Sequence, residues 1–599
     1  MTWPLVWRAG LIVCVGALVY SNSLSGPFLF DDQVSIQANP RIRQLWPIVD
    51  ALAPLPDGPL ASRPVVNLSF AINYAIGGLS VRGYHIANIA LHIAASLILF
   101  LLVRAALSAI AAGGALRAHA DGVAMSTALI WMVHPLQTEA VDYVTQRTEL
   151  LMGLCYLLTL FCAVRALRSS RPERWHIAAI VSCLIGAGSK ESIATAPLLV
   201  VLFDRMFVFQ SWKDALRSRG MLYAGLALSW LELAAMVTSR RNTAGFGVDV
   251  SVWTYLLNQT VMITQYLKLT IWPYDLVLDY GIPRGIGLVD VLPHAMFVCT
   301  LLVLTVAALV WRPLIGFCTA WVFVTLAPTS SFIPIITEVG AERRMYLPLA
   351  GIVLLAVATV HWLTVRVRGN AAQPAFAIAV GAILVWLAAG TLQRNREYAS
   401  ATAVLETSVA RWPHGRARFN LAHVLRSEGR RDEALVHLRA AVVDNPQAQY
   451  ILASELYDRG EFDNAIRELT AFINRKGTLP ADVVAAHNLM GLALGQQKQW
   501  APAVAALQTA LRKDPDNADL HGNLAFLFLQ QGDFEHAREY YETYLRHRKG
   551  NAFILTGLGV ALSQLGRPEE AIRAYREALA ADPQYVEARA RLAQLGANP

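Results

Sequence analysis

The sequence is short of charge. Asp, Glu, Lys and Arg supply 16% of its 599 residues, while 55% are hydrophobic; a soluble domain ordinarily carries about a quarter charged residues. The deficit is uneven. Up to about Gly390 the chain is a series of long apolar runs separated by short polar segments, and after Arg394 it reads as a soluble helical protein. A single soluble globular domain is therefore excluded, and two domains are expected, a membrane domain over 1–393 and a second over 394–599. Cysteine is sparse too. Cys14, Cys155, Cys162, Cys183, Cys299 and Cys318 all lie in or beside apolar runs and form no CxxC pair, which argues against a disulfide framework or a zinc site. No A-x-A-like site follows the first apolar run, so a retained span is expected there rather than a signal peptide with Arg8 as its basic end. The net charge of +8 does not point to nucleic acid, because the excess Arg sits in short loops beside apolar runs, where it reports topology.

A crossing helix needs roughly 20 mainly apolar residues. About eleven such runs are present, near 5–21, 85–107, 121–136, 149–167, 174–190, 192–208, 221–238, 290–311, 313–330, 345–365 and 374–392. Alternate loops hold Arg104 and Arg117; Arg165, Arg168, Arg171 and Arg174; Arg205, Lys213, Arg217 and Arg219; Arg312; and Arg366 and Arg368. With Arg8 these mark the cytoplasmic side. The opposite set holds most of the acids, among them Asp31, Asp32, Asp50, Asp57, Glu139, Asp142, Glu191, Asp275, Asp279, Glu338 and Glu342. Val252–Trp272 is apolar but interrupted by Asn258, Gln259 and Lys268. Only if it lies in the interface does every loop keep its expected sign. The N-terminus is then inside and the C-terminal domain outside.

After Arg411 the chain repeats. Gly429, Gly460, Gly532 and Gly566 each precede a helix opening such as "RRDEAL" or "EFDNAI", and Lys498 takes the same place before "QWAPAV". Pro446, Pro515 and Pro583, read as helix-ending prolines, fall at twice a period of about 34, the tetratricopeptide spacing. Ala434, Ala465, Ala503, Ala537 and Ala571 would let paired helices approach closely. Five repeats suffice to bury a continuous core. The array offers a groove for an extended peptide, or serves only to hold an oligomer together.

The outer loops concentrate polar residues at membrane depth. The first, over 22–84, contains the adjacent carboxylates Asp31 and Asp32, and such a pair calls for cations, a metal or an active-site role unless it merely makes a turn or a helix cap. His85, Asn88 and His92 share one helical face at spacings of three and four, as ligands or as satisfied core histidines. The second loop brings His134, Glu139 and Arg147. The third, "GSKES", brings Lys190 beside Glu191, where a plain interfacial ion pair is the simpler alternative. The fourth holds Arg240, Arg241, Asp275, Asp279 and Tyr280, and the fifth Glu338, Glu342, Arg343, Arg344 and Tyr346. Cations at that depth suit a phosphate, and a carboxylate beside them suits a general base.

The ordered set "FDD", "RPVVNLSFAINY", "GYHIANIALH", "HPLQTEAVDYVTQRTELL", "SKE" and "AERRMYLP", followed by the repeats, resembles the TMTC family, the transmembrane and tetratricopeptide-repeat-containing O-mannosyltransferases of the GT-C superfamily. The resemblance covers nearly the whole chain. The Ala- and Arg-rich composition points to a bacterial relative. The resemblance implies an all-α GT-C bundle, a sugar donor on a polyprenyl phosphate, a protein acceptor held by the repeats, and transfer on the extracytoplasmic side. The acidic motif of the first outer loop maps onto Asp31 and Asp32, one of which would be the base. Arg147, Lys190, Arg343 and Arg344 would stabilise the leaving phosphate with His85 or His92 as helpers. Glu139 and His134 would orient the base or bind the acceptor, and Glu342 would position Arg343. GT-C enzymes differ in metal use, so Asp31, Asp32 and Glu139 are also candidates for Mg²⁺ or Mn²⁺. The rival readings are the same fold glycosylating a lipid or a surface glycan, a scaffold without catalysis, and a transporter, for which Glu232 is the clearest ionisable residue inside a span.

Overall fold

The chain is described by a computed structural model covering residues 3–56, 58–110, 118–238, 250–331, 333–368, 372–475 and 479–598; Asp57, Arg117, Arg240 and Arg241 lie outside the described residues, as does the side chain of Arg368. Among the described residues the regular structure is helical throughout. The chain divides into two compact units, Met1–Pro413 and His414–Pro599. The composition change at Arg394 falls inside the helix Ala372–Glu397, and the short helix Ala401–Arg411 also belongs to the first unit.

In lipid a crossing segment must satisfy its own backbone hydrogen bonds, which a helix does. A helix stands at each of the eleven apolar runs. Six are long and apolar enough to cross a membrane, judged among the described residues: Leu5–Ser23, Val81–Ala109, Val144–Ala166, Leu288–Trp311, Pro348–Val367 and Ala372–Glu397. The others are shorter, as in Ala120–Met132, or carry charges, as in Trp212–Thr238. Leu288–Trp311 leaves Val289 87%, Val310 73% and Trp311 76% exposed, an apolar surface of the kind lipid covers. Val252–Ile271 is a continuous helix in which Asn258 and Gln259 turn inward, Asn258 donating to the carbonyl of Arg284 at 2.8 Å and Gln259 to that of Val339 at 2.9 Å, while Lys268 is exposed and meets Asp275.

The core of this unit gathers around Trp131, Tyr156 and Tyr346, from three different segments. The polar segments between these helices meet one another: Asp32 with Thr145, Arg147 with Asn88, and Arg343 with Glu139. The basic residues at the other helix ends make their own contacts. Arg8 and Arg104 share Asp121, and Arg219 holds Asp204 at 2.5 Å.

The second unit is five antiparallel helix pairs, from Gly415–Ser427 with Arg431–Ala441 to Ala552–Gln564 with Pro568–Ala581, closed by Val586–Gln594. The turn residues Gly429, Gly460, Gly532 and Gly566 have φ between 74° and 86°, a conformation glycine adopts without strain. Lys498 is forced into it at φ 58°. Ala434, Ala465, Ala503, Ala537 and Ala571 are all fully buried. One expectation is corrected. Pro446 does not end a helix but opens Pro446–Asp458 at its first position, where a missing N–H costs nothing. Pro515 and Pro583 do lie just beyond helix ends.

Candidate active site

The acidic pair is split by its surroundings. Asp32 is fully buried. Its Oδ2 accepts the Leu29 N–H at 2.8 Å, and its Oδ1 accepts the Thr145 N–H at 2.7 Å together with the Thr145 hydroxyl. Burial raises its carboxyl to about 7 against the pull of these donors. Asp31 is exposed. Its N–H donates to the Tyr143 hydroxyl at 3.0 Å. The protein packed behind it raises its carboxyl above the ordinary value, and Arg343 pulls it back. Phe30, between the turn and the pair, has φ 34°, an uncommon conformation for a side chain with a Cβ. The adjacent acids thus have opposite tasks available: Asp32 ties the turn down, and Asp31 keeps oxygens for chemistry.

Arg343 faces Asp31. Its main-chain N–H donates to Glu139 at 2.8 Å, and its guanidinium pairs with both Glu139 and Glu338. Burial raises Glu139 and Arg343 lowers it; Glu338, partly exposed, is drawn down to about 2 by Arg343 and Arg344. Arg344 shares Glu338 at 2.9 Å and donates to the carbonyls of Thr329 at 3.0 Å and Glu338 at 3.1 Å. Glu342 does not position Arg343. It turns away, accepting the Val277 N–H and the Tyr280 hydroxyl, 3.8 Å from Arg394. The carboxylates that hold Arg343 are instead Glu139 and Glu338.

Beside Arg344 lies a small recess lined by Lys190, Glu149, Ser192, Thr325, Thr329 and Leu347 among others. Lys190 pairs with Glu149, not with its neighbour Glu191, which lies 3.6 Å from Arg63. The helices Pro313–Leu326 and Pro348–Arg368 that flank this recess also wall an apolar groove, through Phe317, Trp321, Gly351 and Leu354.

The remaining expected residues are engaged in the scaffold. Arg147 is 1% exposed. It donates to Asn88 at 2.7 Å, to Asn73 at 2.5 Å and to the carbonyls of Ser69 and Tyr84, and its guanidinium lies 4.6 Å from the Phe70 ring centre. Four of its five N–H groups are spent on these scaffold contacts. His92 meets the Tyr346 hydroxyl and the Met132 carbonyl at 3.0 Å each, and His134 caps a short helix and meets the Thr270 carbonyl. His85 meets the Gly26 carbonyl at 3.0 Å. A divalent ion does not fit Asp31, Asp32 and Glu139. The oxygens of Asp32 and Glu139 already accept N–H and guanidinium donors, and among the described residues no group of three or more His, Cys, Asp or Glu converges for a metal.

The sequence pattern does not single out Tyr143, Thr145 or Glu149. The available signals are the alternation of Tyr143 and Thr145 about Val144 in "DYVT", and an acid one turn into a long apolar run at Glu149.

Models of the tetratricopeptide repeat match residues 387–449, 495–554 and 552–585. The Drosophila melanogaster protein O-mannosyl-transferase Tmtc2 is 30% identical over 305 residues, covering 47% of this chain and 31% of that protein. The Drosophila melanogaster protein O-mannosyl-transferase Tmtc3 is 25% identical over 513 residues, 72% of this chain and 54% of its own length. The human protein O-mannosyl-transferase TMTC4 is 27% identical over 416 residues, 59% and 55% of the two chains. The curated homologues of the chain are thus TMTC O-mannosyl-transferases, and the chain spans 31% to 55% of the length of these three. Among solved structures, Pseudomonas aeruginosa PilF matches 40% of this chain and 99% of its own at 16% identity and a TM-score of 0.29.

Proposed function

We propose that the chain is an integral-membrane inverting glycosyltransferase that moves a sugar, mannose by the names of its relatives, from a polyprenyl phosphate to Ser or Thr hydroxyls of an exported polypeptide. The observation that carries this reading is the exposed Asp31 carboxylate facing Arg343, with the Lys190–Arg344 recess next to it.

The leaving group is a lipid phosphate, a weak base that needs charge stabilisation rather than a proton. Lys190 and Arg344, with the hydroxyls of Ser192, Thr325 and Thr329, line a recess of the right chemistry for it. The isoprenoid then follows the same helix pair into the apolar groove. The acceptor hydroxyl attacks the anomeric carbon from the opposite face. Its proton passes to Asp31 as the new C–O bond forms, the bond from the anomeric carbon to the phosphate oxygen breaks, and its electron pair leaves with the phosphate. The configuration inverts. Proton transfer of this kind contributes about 10²–10⁴-fold, and holding donor and acceptor together contributes much of the rest. The repeat unit supplies the acceptor end by holding an extended polypeptide.

In this reading Met1–Pro413 holds eleven crossing helices with the N-terminus cytoplasmic. The acidic pair and the repeats face the extracytoplasmic side, of an inner membrane in a bacterium or of the endoplasmic reticulum in a eukaryote. The test is purified protein incubated with labelled polyprenyl-phosphate mannose and a Ser/Thr-rich peptide. Peptide labelled with inverted anomeric configuration is expected. Protein that neither transfers, hydrolyses nor binds the donor defeats the reading, and label on lipid or glycan alone redirects the acceptor.

A further inference from the structure

One face of Val252–Ile271 grips the fifth polar segment. Tyr255, Gln259, Met262 and Tyr266 recur at helical spacings of four, three and four, which puts them on the same side of the helix. The Tyr255 hydroxyl donates to the Thr329 carbonyl at 2.7 Å and the Gln259 amide to the Val339 carbonyl at 2.9 Å, while the Tyr266 hydroxyl accepts the Ala341 N–H at 2.8 Å. Gly340 sits among these contacts. A Cβ on it would lie 2.2 Å from the Met262 methyl carbon, so a side chain there would force the helix and the segment apart.

The segment held in this way carries Glu338. Its two carboxylate oxygens part: Oε2 pairs with Arg343 Nη2, and Oε1 with Arg344 Nη2 at 2.9 Å. The Arg344 guanidinium also returns to the same segment, donating to the Glu338 carbonyl at 3.1 Å and the Val339 carbonyl at 3.3 Å. Glu338 therefore meets Arg344 at the main chain and at the side chain. Arg343 has a second carboxylate in Glu139, and Lys190, which lines the recess with Arg344, has its own in Glu149. Both Glu338 oxygens accept from guanidiniums, so this carboxylate is badly placed to take a proton itself.

We propose that Glu338 is a positioning residue for the leaving phosphate: its carboxylate sets the direction of the Arg344 guanidinium at the recess and ties it to Arg343, with the face of Val252–Ile271 as its support. The inference rests on the reading of the recess as the seat of the donor phosphate. Glu338 does not bond the phosphate. It acts through Arg344, whose planar fork stabilises a departing phosphate only when its N–H groups are aimed at it. One negative charge divided between two guanidiniums also leaves Arg344 cationic toward the recess.

The test is Glu338→Gln and Glu338→Asp in the full-length protein in native membranes, each alone and combined with Arg344→Lys, with labelled polyprenyl-phosphate mannose as the donor. Glutamine keeps the size and removes the charge. Aspartate keeps the charge, and so the fold, but is a methylene too short to reach both guanidiniums. Each change is expected to lower kcat/KM for the donor about ten-fold or more and to leave the acceptor KM unchanged. In the Arg344→Lys background the same changes add little, because residues that act through one another are not additive. Wild-type donor kinetics per folded protein in either variant overturn the inference, even where the unfolding temperature falls. So does a full ten-fold loss on top of Arg344→Lys. Wild-type protein that neither transfers nor binds the donor defeats the underlying reading of the recess instead.

Discussion

Lys190 is paired with Glu149 across the bundle, not with Glu191 beside it in the chain. The two side chains are 9% and 5% exposed, so each has the other as its close counter-charge. Removing one partner of a buried pair costs about 3–5 kcal/mol, because the other is left uncompensated. Lys190→Met is therefore expected to lower the unfolding temperature strongly, and Lys190→Met with Glu149→Gln to recover much of it. The double variant should still bind the lipid donor poorly, since the cation is gone. Thermal unfolding in detergent and the donor KM measure the two effects separately.

Buried carboxyls set the pH dependence of stability. Burial raises Asp142 to about 7 and Glu342 to about 8. Unfolded, both would titrate near 4. The native state thus binds more protons than the unfolded chain between these limits, and this stabilisation is complete below about 4 and is lost as pH rises through 7 and 8. Glu338, drawn down to about 2 by Arg343 and Arg344, works in the other direction, contributing above its unfolded value and losing its contribution as pH falls toward 2. The unfolding temperature is expected to fall between pH 5.5 and 8.5, and Asp142→Asn to flatten that slope. A melting series across the range, run on both proteins, checks the sign.

The repeat array carries a local strain that can be relieved. Four of its five turns use glycine at positive φ, and the fifth uses Lys498 at 58°. A left-handed residue with a Cβ costs roughly 1 kcal/mol. Lys498→Gly is expected to stabilise the repeats by up to that amount, offset in part by added freedom in the unfolded chain, and Gly532→Ala to destabilise them by a similar amount. Limited proteolysis of the full chain, followed at cleavage sites after residue 414, reports both.

The repeats are legible in the sequence because their determinants are local: a positive-φ turn, a small residue five positions on, a period. Pro446 was harder to place because a proline after a helix and a proline opening the next one differ only by the length of the linker, here Val442–Asn445. That polar segments between the apolar runs carry the candidate residues was also legible, since charge marks where those runs are interrupted. Partner choice was not. Arg147 and Arg343 look alike in the sequence, yet Asn88, Asn73 and two carbonyls enclose the first, while the second faces Asp31. Glu139 takes the part expected of Glu342, holding Arg343, while Glu342 meets Val277 and Tyr280; no periodicity in the sequence encodes which carboxylate meets Arg343. The division between Asp31 and Asp32 comes from Thr145, more than a hundred residues away in the chain.

The most direct measurement is transfer of labelled mannose from polyprenyl phosphate to protein in native membranes, comparing wild type with Asp31→Asn and Asp32→Asn at matched expression. Asp31→Asn is expected to fold with the wild-type unfolding temperature and to lose transfer by about 10²–10⁴-fold. Asp32→Asn places an amide hydrogen against the Leu29 or Thr145 donors, so it is expected to lose about 1–3 kcal/mol of stability while its folded fraction still transfers. Full transfer by Asp31→Asn, or a well-folded and inactive Asp32→Asn, contradicts the assignment of the base.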